Sequence, residues 1–187
     1  GDYIVGLNQQ EVCATLHGFA KMNAQWPLMS EALKFTLLSS VKNLHDMGAL
    51  CLACTVYSLG ILDATWDSLP AGIRAILLES AHKSTLQDQT MANVVYGLSS
   101  METRWDKLEP GWNELILNNL NRPEAFIEDV PQHIANTLWG LAKMDATWSD
   151  LPGMVRVCVY VYDGGLSFLS SSSSSSSSCH TLPSLSH

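Results

Sequence analysis

Cys51 and Cys54 are separated by two residues, the spacing at which two thiolates from one turn of chain can close on a zinc ion. A tetrahedral site needs a second pair at a companion spacing. Cys13, Cys158 and Cys179 stand singly, and His45, His82, His133, His180 and His187 share no common interval. The cysteines are therefore read as packing thiols, free of disulfides, because five at irregular places form no framework. No Ser/His/Asp grouping, HExxH motif or glycine-rich phosphate loop occurs, so nucleophilic, metal-hydrolytic and nucleotide chemistry lack carriers. The expectation is a non-enzymatic chain with no cofactor, no metal and no small-molecule substrate.

Recognition chemistry has better candidates. Asn93 and Asn136 each offer a donor and an acceptor, the pattern needed to read the edge of a base. Lys21 and Lys143 could meet phosphates, and Ser100 adds a hydroxyl. These five residues matter together only if the fold lines them up.

An internal repeat supplies that alignment. EVCATLHGFAKMNAQW, CLACTVYSLGILDATW, MANVVYGLSSMETRW and ANTLWGLAKMDATW superpose without gaps, ending on Trp26, Trp66, Trp105 and Trp148, at spacings of 40, 39 and 43 residues. A period of this size marks an array of supersecondary units. With each tryptophan at register 15, registers 1, 5, 8 and 11 are apolar in every copy. They run from Val12, Leu16, Phe19 and Met22 in the first to Ile134, Leu138, Leu141 and Met144 in the last. That interval is the core stripe of a helix.

After each tryptophan comes Pro27, Asp67-Ser68-Leu69-Pro70, Asp106-Lys107-Leu108-Glu109-Pro110 or Ser149-Asp150-Leu151-Pro152. Proline suits only the first turn of a helix and Ser or Asp can cap one, so second helices are expected near 29–43, 71–83, 110–120 and from 152. One helical hairpin cannot bury its apolar faces alone. The expected fold class is all-α, an α-α superhelix or solenoid of about four helix-turn-helix repeats over residues 1–157, with windows near 10–47, 48–86, 87–129 and 130–157.

Residues 158–187 are expected to form a flexible low-complexity tail containing nine consecutive serines, Ser170 to Ser178. Just before it, Val155 to Tyr162 alternates with period two, as a strand would. This end supplies no polar closing unit. We expect a natural continuation beyond about Val155 to be missing, or the tail to be translated from non-coding sequence. The longest uncharged run within the repeats, Met47 to Leu62, has 16 residues, short of the roughly 20 a membrane helix needs, and it superposes on the other repeats.

On a helical wheel, registers 3, 7 and 10 lie opposite the core, where a concave binding wall would be if the first helices line it. They hold Ala14, Gly18, Lys21; Cys54, Ser58, Ile61; Asn93, Gly97, Ser100; and Asn136, Gly140, Lys143. Glycine inside a helix costs about 0.5–1 kcal/mol relative to alanine, so the small residue at register 7 implies a close approach. Another helix is the expected neighbour, and a ligand is the alternative. Register 6 (His17, Tyr57, Tyr96, Trp139) is expected to wedge between adjacent repeats, and the four register-15 tryptophans to fill the turns.

The run Ala135-Asn136-Thr137-Leu138-Trp139-Gly140-Leu141-Ala142-Lys143-Met144, with its weaker copy Ala92 to Met101, resembles the helix of octotricopeptide and heptatricopeptide repeats. The latter occur with RAP domains and are related to FAST-kinase-like proteins. The resemblance covers about Gln10 to Val155 and implies RNA binding in a chloroplast or mitochondrion, acting on transcript stability, processing or translation. The PPPEW-like signature of octotricopeptide repeats is replaced here by Trp-x-x-Leu-Pro, and no RAP-like segment follows.

The leading expectation is thus a module holding single-stranded RNA on its concave face through Lys21, Asn93, Ser100, Asn136 and Lys143, with no membrane partner. Its formal charge of −8 weighs against phosphate attraction. The alternative is a protein-interaction scaffold with an acidic edge, formed by register 12: Asn23, Asp63, Glu102 and Asp145.

Overall fold

The computed structural model describes residues 7–42, 47–86, 88–121 and 131–153. Among them are seven α-helices and no strand: α1 (Gln9–Lys21), α2 (Glu31–Lys42), α3 (Ala49–Ile61), α4 (Ala71–Lys83), α5 (Asp88–Ser100), α6 (Pro110–Leu120) and α7 (Pro131–Lys143). The second helices begin within two residues of where proline and the capping residues put them. The period-two run Val155 to Tyr162 and the serine tail lie outside the described residues.

Helix ends follow from local chemistry. Asn8 Oδ1 accepts from the Glu11 amide at 3.1 Å while Glu11 Oε2 accepts from the Asn8 amide at 2.8 Å, a reciprocal cap that starts α1. Its other end closes when the Ala24 amide reaches back to the Phe19 carbonyl and the Asn23 amide to that of Ala20, with Asn23 in left-handed conformation at φ 53°. The same pair of bonds ends α3 at Asp63 and Ala64, and α7 at Asp145 and Ala146.

A single turn of 3-10 helix then follows at Trp26–Leu28, Trp66–Ser68, Trp105–Lys107 and Trp148–Asp150. Trp26, Trp66 and Trp105 are buried. Trp66 meets Trp112 of α6 edge-on at 6.2 Å between centroids, and its indole N–H donates to Glu109 Oε2 at 3.2 Å.

The helices form two rows. α1, α3, α5 and α7 lie side by side in one; α2, α4 and α6 form the other; and α1 pairs with α2, α3 with α4, and α5 with α6 across the gap. The apolar stripe fills that gap, with Leu16, Leu52, Leu59 and Leu98 of the odd row facing Leu37, Leu77, Trp112 and Ile116 of the even row, all fully buried. Removing one such leucine costs about 2–5 kcal/mol.

Backbone bonds also join the units in sequence. The Trp66 amide donates to the Met101 carbonyl at 3.0 Å and the Trp105 amide to that of Met144 at 2.7 Å, while the Trp26 amide donates to Leu62. Three of the four register-15 N–H groups, those of Trp26, Trp66 and Trp105, are therefore satisfied by the register-11 carbonyl of the next unit.

Candidate functional site

Burial around the odd helices corrects the sequence-based wheel. Register 7 does not face outward: Ser58, Gly97 and Gly140 are buried. A Cβ added to Gly97 would stand 2.5 Å from the Val56 carbonyl oxygen and 2.8 Å from the Tyr57 nitrogen, and one on Gly140 would stand 2.8 Å from Val95 Cγ1. The small residue at register 7 thus lets the preceding odd helix come against the backbone, and ligand clearance is not its role. The wheel failed because it has two flanks, and only the tilt of the neighbouring helix decides which one is covered.

The outward face is made of registers −1, 3, 6 and 10. It presents Gln10, Ala14, His17 and Lys21 on α1; Leu50, Cys54, Tyr57 and Ile61 on α3; Gln89, Asn93, Tyr96 and Ser100 on α5; and Asn136, Trp139 and Lys143 on α7. All are exposed or half-buried. None is a carboxylate, in a chain that carries eighteen. The five residues expected from sequence all lie here. Lys21, Asn136 and Lys143 are exposed, and Asn93 and Ser100 are half-buried. Lys143 Nζ and Ser100 Oγ come together at 3.4 Å, joining two neighbouring helices, whereas Lys21 stands at the far end of the row.

Sequence reasoning placed the register-6 aromatics between repeats. They do touch across neighbouring helices, but at the surface, as a ladder. Tyr57 and Tyr96 lie 5.4 Å apart with planes tilted by 31°, and Tyr96 and Trp139 stack at 5.7 Å and 19°. Lys143 Nζ sits 5.4 Å from the Trp139 ring centre, close enough for cation–π attraction. Burial, and then the neighbouring Tyr96, push the Tyr57 hydroxyl above its ordinary pKa. Tyr57 and Tyr96 are half-buried, and Trp139 remains 52% exposed.

Register 12 also acquires a local reason. Asn23, Asp63, Glu102 and Asp145 all have positive φ, between 53° and 63°. They are the left-handed residues that reverse the chain after each odd helix, a conformation that Asn and Asp tolerate better than most. Their side chains remain exposed at the row's end. Arg104 there ties Asp106 at 3.0 Å and Asp145 at 3.5 Å, and its hydrogen bond holds the Asp106 carboxyl below the usual range.

Cys13 and Cys54 are neighbours across α1 and α3, the Cys54 thiol donating to the Cys13 carbonyl at 3.7 Å. Burial first, and then the nearby Cys54 and Cys51 thiols, push Cys13 up to about 12, so it stays a protonated thiol at neutral pH. Among the described residues no group of three His, Cys, Asp or Glu side chains could hold a metal ion. No described helix is long and apolar enough to cross a membrane.

A buried polar column in the even row went unnoticed in the sequence. Ser40, Ser80 and Asn119 occupy equivalent places, and Asn119 Nδ2 donates to the Leu86 carbonyl, fastening α6 to the α4–α5 connection. Aligning the second helices on one another would have revealed it.

Compared with known proteins, the chain matches no family model, no curated protein and no solved structure.

Proposed function

We propose that the chain is a solenoid of helix-turn-helix repeats whose odd-helix face holds single-stranded RNA, in the processing, stability or translation of organellar transcripts. The observation that carries this reading is the carboxylate-free outward face, with an aromatic ladder flanked by Asn93, Asn136, Lys21 and Lys143. Aromatic edges and amides suit unstacked bases, and the lysines suit the backbone between them. With no carboxylate among its outward residues, the face itself offers phosphate no close repulsion.

Row spacing supports a concave odd face. Gly97 and Gly140 let odd helices approach to backbone contact, whereas Gly111 in the even row is met by the side-chain tips of His82 and Leu78. A row with the shorter repeat distance lies on the inside of a curve.

The test is fluorescence anisotropy with labelled 20-nucleotide oligouridylate and oligoadenylate over a salt series. Binding that weakens steadily with salt is expected. No binding at low salt, where backbone attraction is strongest, would overturn the reading and leave an interaction scaffold as its replacement.

A further inference from the structure

Three thiols meet at the joint between α1 and α3. Cys51 and Cys54 stand one turn apart on α3 and Cys13 faces them from α1; all three are free and half-buried. The Cys54 sulfur lies 3.7 Å from the Cys13 carbonyl oxygen and 4.0 Å from Ser58 Oγ. Both α3 thiols come within hydrogen-bonding reach of the Cys13 thiol.

The packing of odd helices explains this closeness. Register 7 of one helix sits over registers 5 and 6 of the helix before it, as Gly97 does over Val56 and Tyr57. Register 3, one turn earlier, therefore sits over registers 1 and 2. By that offset Cys54 faces Cys13, while Cys51 falls opposite Gln9 and Gln10. The same places at the next joints hold Ala53 with Asn93 and Ala92 with Asn136. Cysteine thus replaces alanine at register 2 in the one copy where register 3 of the following helix is also cysteine. Packing alone asks for no such match.

We propose that Cys13 and Cys54 are a thiol-redox site, which hydrogen peroxide converts to a disulfide that fastens α1 to α3. The Cys54 thiolate attacks one peroxide oxygen, the O–O bond breaks, and the departing hydroxide takes the proton the thiol gave up, leaving a sulfenic acid and one water. The Cys13 sulfur then attacks the Cys54 sulfur. The S–S bond forms, the S–O bond breaks, and the Cys13 proton leaves with the hydroxyl as a second water. Two thiols together lose two electrons, and the peroxide is reduced to two waters. Cys13 acts second because burial first, and the neighbouring thiols next, keep it protonated. The site is independent of RNA binding, since Lys21, Asn93, Ser100, Asn136 and Lys143 take no part.

The test is oxidation of the folded full chain with hydrogen peroxide, alkylation of the remaining thiols, and chymotryptic peptide mapping, in which cleavage after Leu52 separates Cys51 from Cys54. A Cys13–Cys54 cross-linked peptide should appear, vanish after dithiothreitol, and persist in Cys51→Ser. The bridge spans 41 residues of chain, so the oxidised protein should melt about 5–10 °C higher, a rise absent from Cys54→Ser. The parent's map and melt decide the matter even where a serine variant fails to fold. Peroxide that leaves Cys13 and Cys54 unbridged, a bridge from either to Cys51, Cys158 or Cys179 instead, or a bridged chain that melts no higher would each overturn the proposal.

Discussion

The odd and even rows are built from the same hairpins and obey different packing rules. α3, α5 and α7 meet at Gly60, Gly97 and Gly140, so backbone atoms set how close they come. The even helices α4 and α6 meet at Gly111 through His82 and Leu78 side chains, whose tips can move. The odd row is therefore the closely packed one. The difference puts backbone-to-backbone contact on the side that carries the aromatic ladder and the asparagines.

The sharpest way to break this contrast is Gly97→Ala. Its methyl carbon would fall 2.5 Å from the Val56 carbonyl oxygen, and neither backbone can yield without moving a helix. Chemical denaturation should show a loss of about 2–3 kcal/mol, outweighing the helix-propensity gain of about 1 kcal/mol. Gly111→Ala in the even row, where His82 and Leu78 can swing aside, should change stability by about 0.5 kcal/mol or less. Equal losses at the two sites would erase the distinction between the rows.

Asn119→Ala tests what does hold the even row in place. It removes the buried amide's bond to the Leu86 carbonyl and should cost about 1–3 kcal/mol in the same assay. On the odd face, Trp139→Ala should leave the melt nearly unchanged and weaken oligouridylate binding roughly tenfold, the loss of about 1–2 kcal/mol of stacking. Unchanged affinity would reduce the ladder to a packing device. Gly18→Ala, in the register of Gly97 but with open space around it, should stabilise by about 0.5–1 kcal/mol, so that one substitution at one register changes sign with its neighbour.

The smallest effect belongs to the turns joining the rows. The folded-state pKa of Asp106 is lowered, chiefly by its hydrogen bond to Arg104. Its contribution to stability is therefore present above the unfolded aspartate value of 3.8 and is lost as pH falls through the lower folded value. Arg104→Ala should move the Asp106 carboxyl titration, followed by carbon NMR, upward toward that ordinary value.

Sequence periodicity carried the architecture far because each element was signalled locally. The 71–83 and 110–120 helices announced themselves through Pro70 and Pro110, and the odd helices through registers 1, 5, 8 and 11. What it could not carry were relations between helices. The size of Gly97 was plain, but the identity of its neighbour depended on how α3 crosses α5. The rings of Tyr57, Tyr96 and Trp139 lie about 40 residues apart in the chain, and their stacking depends on the offset between neighbouring helices. Asp63, Glu102 and Asp145 read as an acidic edge because a column of acids signals charge first; Asn23 at the head of the column, with two Asp below it, was the available clue to a left-handed turn.

The bond from the Trp26, Trp66 or Trp105 amide to the register-11 carbonyl of the next unit uses no side chain. A splice at that joint consequently asks nothing of residue identity, only that a donor end meet an acceptor end. Deleting one whole unit would join the amide before the gap to the carbonyl after it, and duplicating one would insert both members of a new pair. The chain can lengthen or shorten by whole units without redesigning the joint, so the length of the odd-helix face is free to vary separately from its composition.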